Sequence, residues 1–157
     1  MTSSATVTIN TTFGAIAIYQ QAAQLKIDLL DSPVHTNLLG GDDIIKQVTQ
    51  EILAYLQQAH NQFTLPAALN GSPFQEKVWR AIATIPLGQT RTYGELAKQL
   101  HSGPRAVANA CGANRLPLLI PCHRVVAKHG LGGFMQGKEN ALRIKRWLLA
   151  HEGVHVN

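Results

Sequence analysis

The sequence predicts an α+β fold, with a small antiparallel sheet and one long helix in residues 1–70 and an array of short capped helices in residues 71–157. Three observations predict it. Three short apolar runs precede residue 31, the first and third of them alternating, as strands require. A stripe at helical spacing follows between residues 44 and 59. Beyond the breakers Pro66 and Asn70-Gly71 the chain reads as helix, turn, helix, a strand-like pair and a glycine-rich stretch.

In order, Ala5 to Ile9 alternate through Val7 and Ile9, and Ala15 to Tyr19 form a second run after the Phe13-Gly14 turn. Leu25 to Leu30 alternate through Leu25, Ile27 and Leu29, which completes an antiparallel meander. Ser32-Pro33 and Gly40-Gly41 bracket a loop. Asp42 or Asp43 then caps a helix to about Gln58. Its stripe of Ile44, Ile45, Val48, Ile52, Tyr55, Leu56 and Ala59 is expected to pack on the sheet. His60 to Ser72 is a connector, and the domain boundary is placed there. Pro73 opens a helix with Phe74, Val78, Ala81, Ile82 and Ile85 on one face, ended by Pro86 and Gly88.

Thr92-Tyr93-Gly94-Glu95 is a capping box for a short helix to about Leu100. His101 to Pro104 make a tight turn, and Arg105 to Cys111 a second short helix stopped by Gly112. With Val125-Val126 and the glycine-rich Gly130 to Gly133, this order resembles a winged helix-turn-helix, although such helix pairs also occur as plain packing. The last helix runs from about Glu139 to Ala150, with Leu142, Ile144, Leu148 and Leu149 apolar.

The chain has 157 residues, room for one ordinary domain or two small subdomains sharing a core. The formal net charge of +5 favours an anionic partner, nucleic acid or acidic membrane, and the basic residues thicken after position 76. No apolar stretch is long enough to span a bilayer, and the start, Met1-Thr2-Ser3-Ser4, carries no signal-peptide pattern. The 2 cysteines, Cys111 and Cys122, suggest no disulfide scaffold, so an intracellular, reducing, cytoplasmic setting is expected.

Pro121-Cys122-His123-Arg124-Val125 is the most informative stretch. The apolar run Leu116 to Ile120 leads into it and would set the thiol at the floor of a pocket. A thiol near an imidazole can be deprotonated at neutral pH, and the thiolate is the nucleophile. Taken alone, the dipeptide reads more simply as a small buried cysteine beside a surface histidine.

The surroundings reverse that. Gly71-Ser72-Pro73-Phe74-Gln75 with Val78-Trp79, Ile85-Pro86-Leu87-Gly88, Tyr93 with Leu96-Ala97, Arg105-Ala106-Val107, Asn114, Pro121 to Val125, and Leu148 to Gly153 together resemble the O6-alkylguanine-DNA alkyltransferases. These are also called methylated-DNA–protein-cysteine methyltransferases. The resemblance covers the whole chain. It implies a ribonuclease H-like α/β structural domain over residues 1–70 and a winged helix-turn-helix alkyltransferase domain over residues 71–157. It implies DNA repair by direct reversal in a single-turnover reaction. The partner is duplex DNA containing O6-alkylguanine, with O4-alkylthymine a further candidate. No cofactor, metal or membrane is expected, and the protein is expected to act as a monomer.

The same resemblance assigns roles. Cys122 accepts the alkyl group, His123 is the base through a bridging water, and Glu152 orients and charges the histidine. Asn114 ties the helix pair to the acceptor loop. Tyr93 contacts the flipped guanine, with Val125, Phe134 and Met135 supplying the rest of the pocket. Arg105 fills the gap left by the flipped base, and Thr92, Ala106, Arg115 and Arg124 join it at the DNA. Without the resemblance, Glu152 reads as a solvated helix end, Asn114 as a helix C-cap, and Tyr93 as a core-packed capping-box residue.

Three departures stand out. The turn before Arg105 is shorter than the usual family turn. Arg115 stands where a proline often follows the asparagine, and Phe134 replaces the usual pocket tyrosine in a shortened loop. The N-terminal zinc ligands of some members are absent, because no cysteine precedes Cys111. His35 and His60 are expected at the surface. The rival readings are an alkyltransferase-like lesion binder, a winged-helix regulator and a cysteine hydrolase. The first two have no need of Cys122. The third needs an oxyanion hole that nothing in the sequence indicates.

Overall fold

A computed structural model of the chain describes residues 6–21, 24–35, 38–60, 63–135 and 140–155. Three strands, β1 (Val7–Asn10), β2 (Ala15–Gln21) and β3 (Gln24–Leu30), form an antiparallel sheet in the order β1-β2-β3. The register pairs Val7 with Ile18 and Ile18 with Ile27, so the alternating apolar residues fall on one face. The expected run from Ala5 begins outside the described residues. Gly14 closes the first turn at φ +150°. A Cβ there would meet the Leu30 carbonyl oxygen at 2.1 Å, so only glycine fits.

Helix α1 (Asp43–Gln57) starts at Asp42, whose carboxylate accepts from the Ile44 and Ile45 amides. Ile45, Val48, Ile52 and Tyr55 join the sheet in one apolar cluster. Ile44, expected on that stripe, is instead 59% exposed, because it lies about 100° around the helix from Ile45.

Helix α2 (Pro73–Ala83) opens with a Ser72/Gln75 capping box and stops at Thr84, short of the Ile85 expected on its face. A residue before proline is pushed out of the helical region, which removes Ile85 from the helix but leaves it buried. Strand β4 (Arg91–Thr92) leads into α3 (Tyr93–Gln99), capped by the Thr92/Glu95 box. Helix α4 (Pro104–Gly112) begins one residue earlier than expected, with Pro104 inside it, and takes in Gly112. A Ser102 amide bond to the Ala97 carbonyl closes the turn between them. The Trp79 indole donates to the Ala110 carbonyl at 2.8 Å and ties α2 to α4.

Strand β5 (Val125–Val126) pairs in parallel with β4, and a bridge between Ala127 and Gly130 closes the glycine-rich loop. Helix α5 is Ala141–His151; the expected start at Glu139 lies outside the described residues. Leu142 is exposed, and Lys145 occupies the buried stripe in its place.

One apolar cluster draws on residues from Val7 to Leu148, on both sides of the connector. Polar contacts reinforce this. The Ile27 amide donates to the Arg115 carbonyl at 2.9 Å. Arg143 donates to the Phe13 and Asp31 carbonyls, and Phe13 packs edge-on to Trp147. The sheet is thereby set beside the loop that follows α4, which carries the Cys-His pair.

Candidate active site

The acceptor loop is assembled by Asn114, just past the end of α4. Its side-chain amide donates to the Ile120 carbonyl at 3.0 Å and to Cys122 Sγ at 3.1 Å. Its oxygen accepts from the Leu116 amide at 2.9 Å. Leu116 to Ile120 are buried, and Leu118 holds φ +79°, a left-handed conformation that side chains other than glycine rarely adopt. Cys122, His123 and Arg124 then form one 3-10 turn, all three buried.

Behind the cysteine lies a buried ionic cluster. His123 Nε2 meets Glu152 Oε2 at 2.7 Å. Arg124 Nε donates to Glu152 Oε1 at 2.7 Å, and its Nη2 to Oε2 at 3.1 Å. Arg124 Nη1 donates to the Ile85 carbonyl at 2.7 Å. The Tyr55 hydroxyl, from α1, donates to Glu152 Oε2 at 2.5 Å. Burial raises the Glu152 pKa, but these donors and the charges beside it outweigh burial and hold it at about 2. Glu152 is therefore an acceptor, so His123 Nε2 carries the proton and Nδ1 has the lone pair. Nδ1 is buried with no hydrogen-bond partner among the described residues.

Burial lowers the His123 pKa against the pull of Glu152, so the ring rests neutral. Contact with the Cys111 thiol, together with burial, pushes the Cys122 thiol well up. Both directions favour a neutral thiol beside a neutral imidazole, so the thiolate has to be made by a base.

Cys122 opens on a cavity of about 180 Å³ walled by Tyr93, Ala108, Gly133, Phe134 and Met135. The Tyr93 hydroxyl donates to the Gly133 carbonyl at 3.3 Å, and burial lifts its pKa to about 12. Gly132, at φ +74°, lies against the Tyr93 ring; a Cβ there would come within 2.8 Å of it. A second cavity of about 350 Å³ reaches from Cys122 past Pro117 to Lys26 and Asp28 of β3.

The structure thus brings Cys122, His123, Glu152, Asn114, Tyr93, Phe134 and Met135 together. Val125 is buried, and its carbonyl accepts from Lys145 rather than lining the smaller cavity. Arg105 and Ala106 are exposed in the first turn of α4, and Arg115 is exposed after Asn114. The Thr92 hydroxyl accepts the Glu95 amide at the start of α3. Arg124 is a correction: buried and bonded to Glu152 and Ile85, it has no face for a phosphate. His60 is half-buried, packing against Tyr55 and bonding the Glu51 carbonyl, and His35 is exposed.

Sequence reasoning missed two residues. Lys145 is 0% exposed, and its ammonium donates to the Val125, Leu131 and Gly133 carbonyls at 2.8, 2.6 and 2.8 Å. Burial draws its pKa down to about 8. The signal was its place in the apolar series Ala141, Ile144, Lys145, Leu148. Tyr55 was counted as core, and nothing in the local sequence marks the partner of its hydroxyl.

The chain is similar to known proteins in sequence and in fold. The sequence model of the family described as "6-O-methylguanine DNA methyltransferase, DNA binding domain" matches residues 73–154. The chain is 39% identical over 154 residues to a probable methylated-DNA–protein-cysteine methyltransferase of Acanthamoeba polyphaga mimivirus, covering 92% of this chain and 93% of that protein. It is 49% identical over 89 residues to the methylated-DNA–protein-cysteine methyltransferase of Candida albicans, covering 56% of this chain and 49% of the relative, so it spans about half of that protein. The crystal structure of the Mycobacterium tuberculosis protein OGT in complex with DNA superposes with a TM-score of 0.76 at 30% identity, covering 94% of this chain and 92% of that one.

Proposed function

Because the chain belongs to the 6-O-methylguanine DNA methyltransferase family, we propose that it repairs DNA by moving the alkyl group of O6-alkylguanine onto Cys122, once per molecule. The observation that carries this is the arrangement around the sulfur: a thiol at the wall of a cavity, with a neutral imidazole anchored on a carboxylate behind it.

The chemistry is an in-line displacement. The Cys122 sulfur forms a bond to the alkyl carbon as the bond from that carbon to guanine O6 breaks. The thiol proton passes to His123 Nδ1, through a bridging water, and the imidazolium is held by Glu152. The electron pair of the broken bond spreads over the guanine ring, where the Tyr93 hydroxyl donates to it. The thioether is stable, so no step restores the thiol. A duplex must surrender the base to the cavity, which is base flipping.

In this reading α3 and α4 act as a winged helix-turn-helix and α4 lies against the minor groove. Arg105 fills the vacated stack, while Ala106, Arg115 and Thr92 face the backbone. Residues 71–157 form the DNA-binding and catalytic domain, and residues 1–70 a ribonuclease H-like structural domain. The family match over 73–154 supports that division. A protein that depends on a free thiol works in a reducing, intracellular compartment such as the cytoplasm.

Intact-protein mass spectrometry tests the proposal. After incubation with a duplex containing O6-methylguanine, one methyl should be gained on Cys122, and none in Cys122→Ala. Tight lesion binding with no mass gain would instead identify an alkyltransferase-like binder.

A further inference from the structure

We infer that Tyr55 of α1 is a positioning residue of the acceptor site, setting the proton affinity of His123 through Glu152. The inference rests on the transfer reading above. It gives the N-terminal part of the chain a share in the chemistry.

Glu152 Oε2 takes three donors: His123 Nε2, Arg124 Nη2 and the Tyr55 hydroxyl. Each draws charge from the same oxygen, so each weakens the hold of that oxygen on the others. A carboxylate serving the histidine alone would raise its pKa and hold it as imidazolium, which cannot accept a proton. Burial opposes that pull, and charge shared to Tyr55 and Arg124 weakens the pull itself, so the imidazole rests neutral with the Nδ1 lone pair available for the thiol proton.

The phenol is built for this. Tyr55 is fully buried, and its ring is enclosed by His60, Phe63 and His151, with centroids 5.9, 5.5 and 5.1 Å away. His151 bonds the Tyr55 backbone carbonyl at 2.6 Å, so the residue is gripped at both ends. Burial and the neighbouring Glu152 drive the phenol pKa far up, so the hydroxyl remains a donor at any working pH. Phenylalanine would fill the same apolar stripe; the hydroxyl has no packing purpose. The other charged or titratable groups facing the cluster are Arg124 and Lys145, both of which lower the His123 pKa. Cys122, next to His123 in the chain, and Cys111, which interacts with Cys122, are the thiols nearby.

The test is Tyr55→Phe in the full chain, beside Ile52→Val, which loosens the same helix face without touching Glu152. Alkylation of Cys122 by free O6-benzylguanine is followed against pH. Loss of the phenol donor should move the acid limb of the rate profile up by about one pH unit, with the rate recovering at high pH. Ile52→Val should keep the wild-type profile. A Tyr55→Phe profile that superimposes on wild type, or a uniform loss at every pH matched by Ile52→Val, would overturn the inference. Should wild type take no benzyl group, the O6-methylguanine duplex is the substrate, and no methyl gained from it sinks the transfer reading itself. The same titration read as carbamidomethylation of Cys122 by iodoacetamide, located by peptide mapping, then decides the role of Tyr55 independently.

Discussion

At the residue scale the site is governed by buried charges that would be unstable alone. Glu152 is held at about 2 against an ordinary 4.5, so the fold gains stability from it above the unfolded value and loses that stability as pH falls toward 2. His123, buried neutral, acts in the same direction: its folded pKa lies below 6.5, so protonation of the unfolded chain wins first on acidification. Urea unfolding measured from pH 7 downward should therefore show stability falling steadily on the acid side, and Glu152→Gln should flatten the lower part of that curve. A steep acid limb retained in the variant would contradict this assignment. Lys145→Met should destabilise the chain by about 3 kcal/mol, because three inward carbonyls lose their donor. It should also slow transfer, since two of those carbonyls belong to the loop carrying the cavity wall. The Cys-His pair was legible from sequence. The burial of Arg124 was not, because an arginine beside a candidate DNA-binding loop invites a phosphate reading, and only the fold turns it toward Glu152.

At the scale of elements, local signals were read most truly where side chain and backbone meet within a few residues. Ser72/Gln75 and Thr92/Glu95 both form their capping boxes. Thr92→Ala should cost about 1 kcal/mol in thermal or urea unfolding. It should also slow transfer, because the capped turn sets the approach of Tyr93; a stability loss with an unchanged rate would separate the two. Gly132→Ala should slow transfer more than it weakens duplex binding, since the new methyl pushes on the Tyr93 ring; equal losses in rate and in duplex affinity would remove that role. Helix ends decided by neighbours read less well. Ile85 leaves α2 because of the proline after it, and α4 takes in Gly112 because the Ala113 amide still bonds back to the Asn109 and Ala110 carbonyls.

At the scale of the whole molecule, Cys122 sits in a buried loop at the wall of a cavity, so a thioether presses on the side chains that line it. The alkylated protein should melt lower than the unmodified one, and equal melting temperatures would show that the cavities absorb the group. The meander and the four helices with clear stripes or caps were determined by the sequence itself, because period, capping and turn chemistry act over a few neighbouring residues. Tertiary structure alone decided that Tyr55 reaches Glu152 across 97 residues, that Lys145 is drawn inward to three carbonyls, and that Ile44 turns outward. Those outcomes depend on which groups the close-packed core brings together, and a hydrogen bond across that distance leaves no periodic trace along the chain.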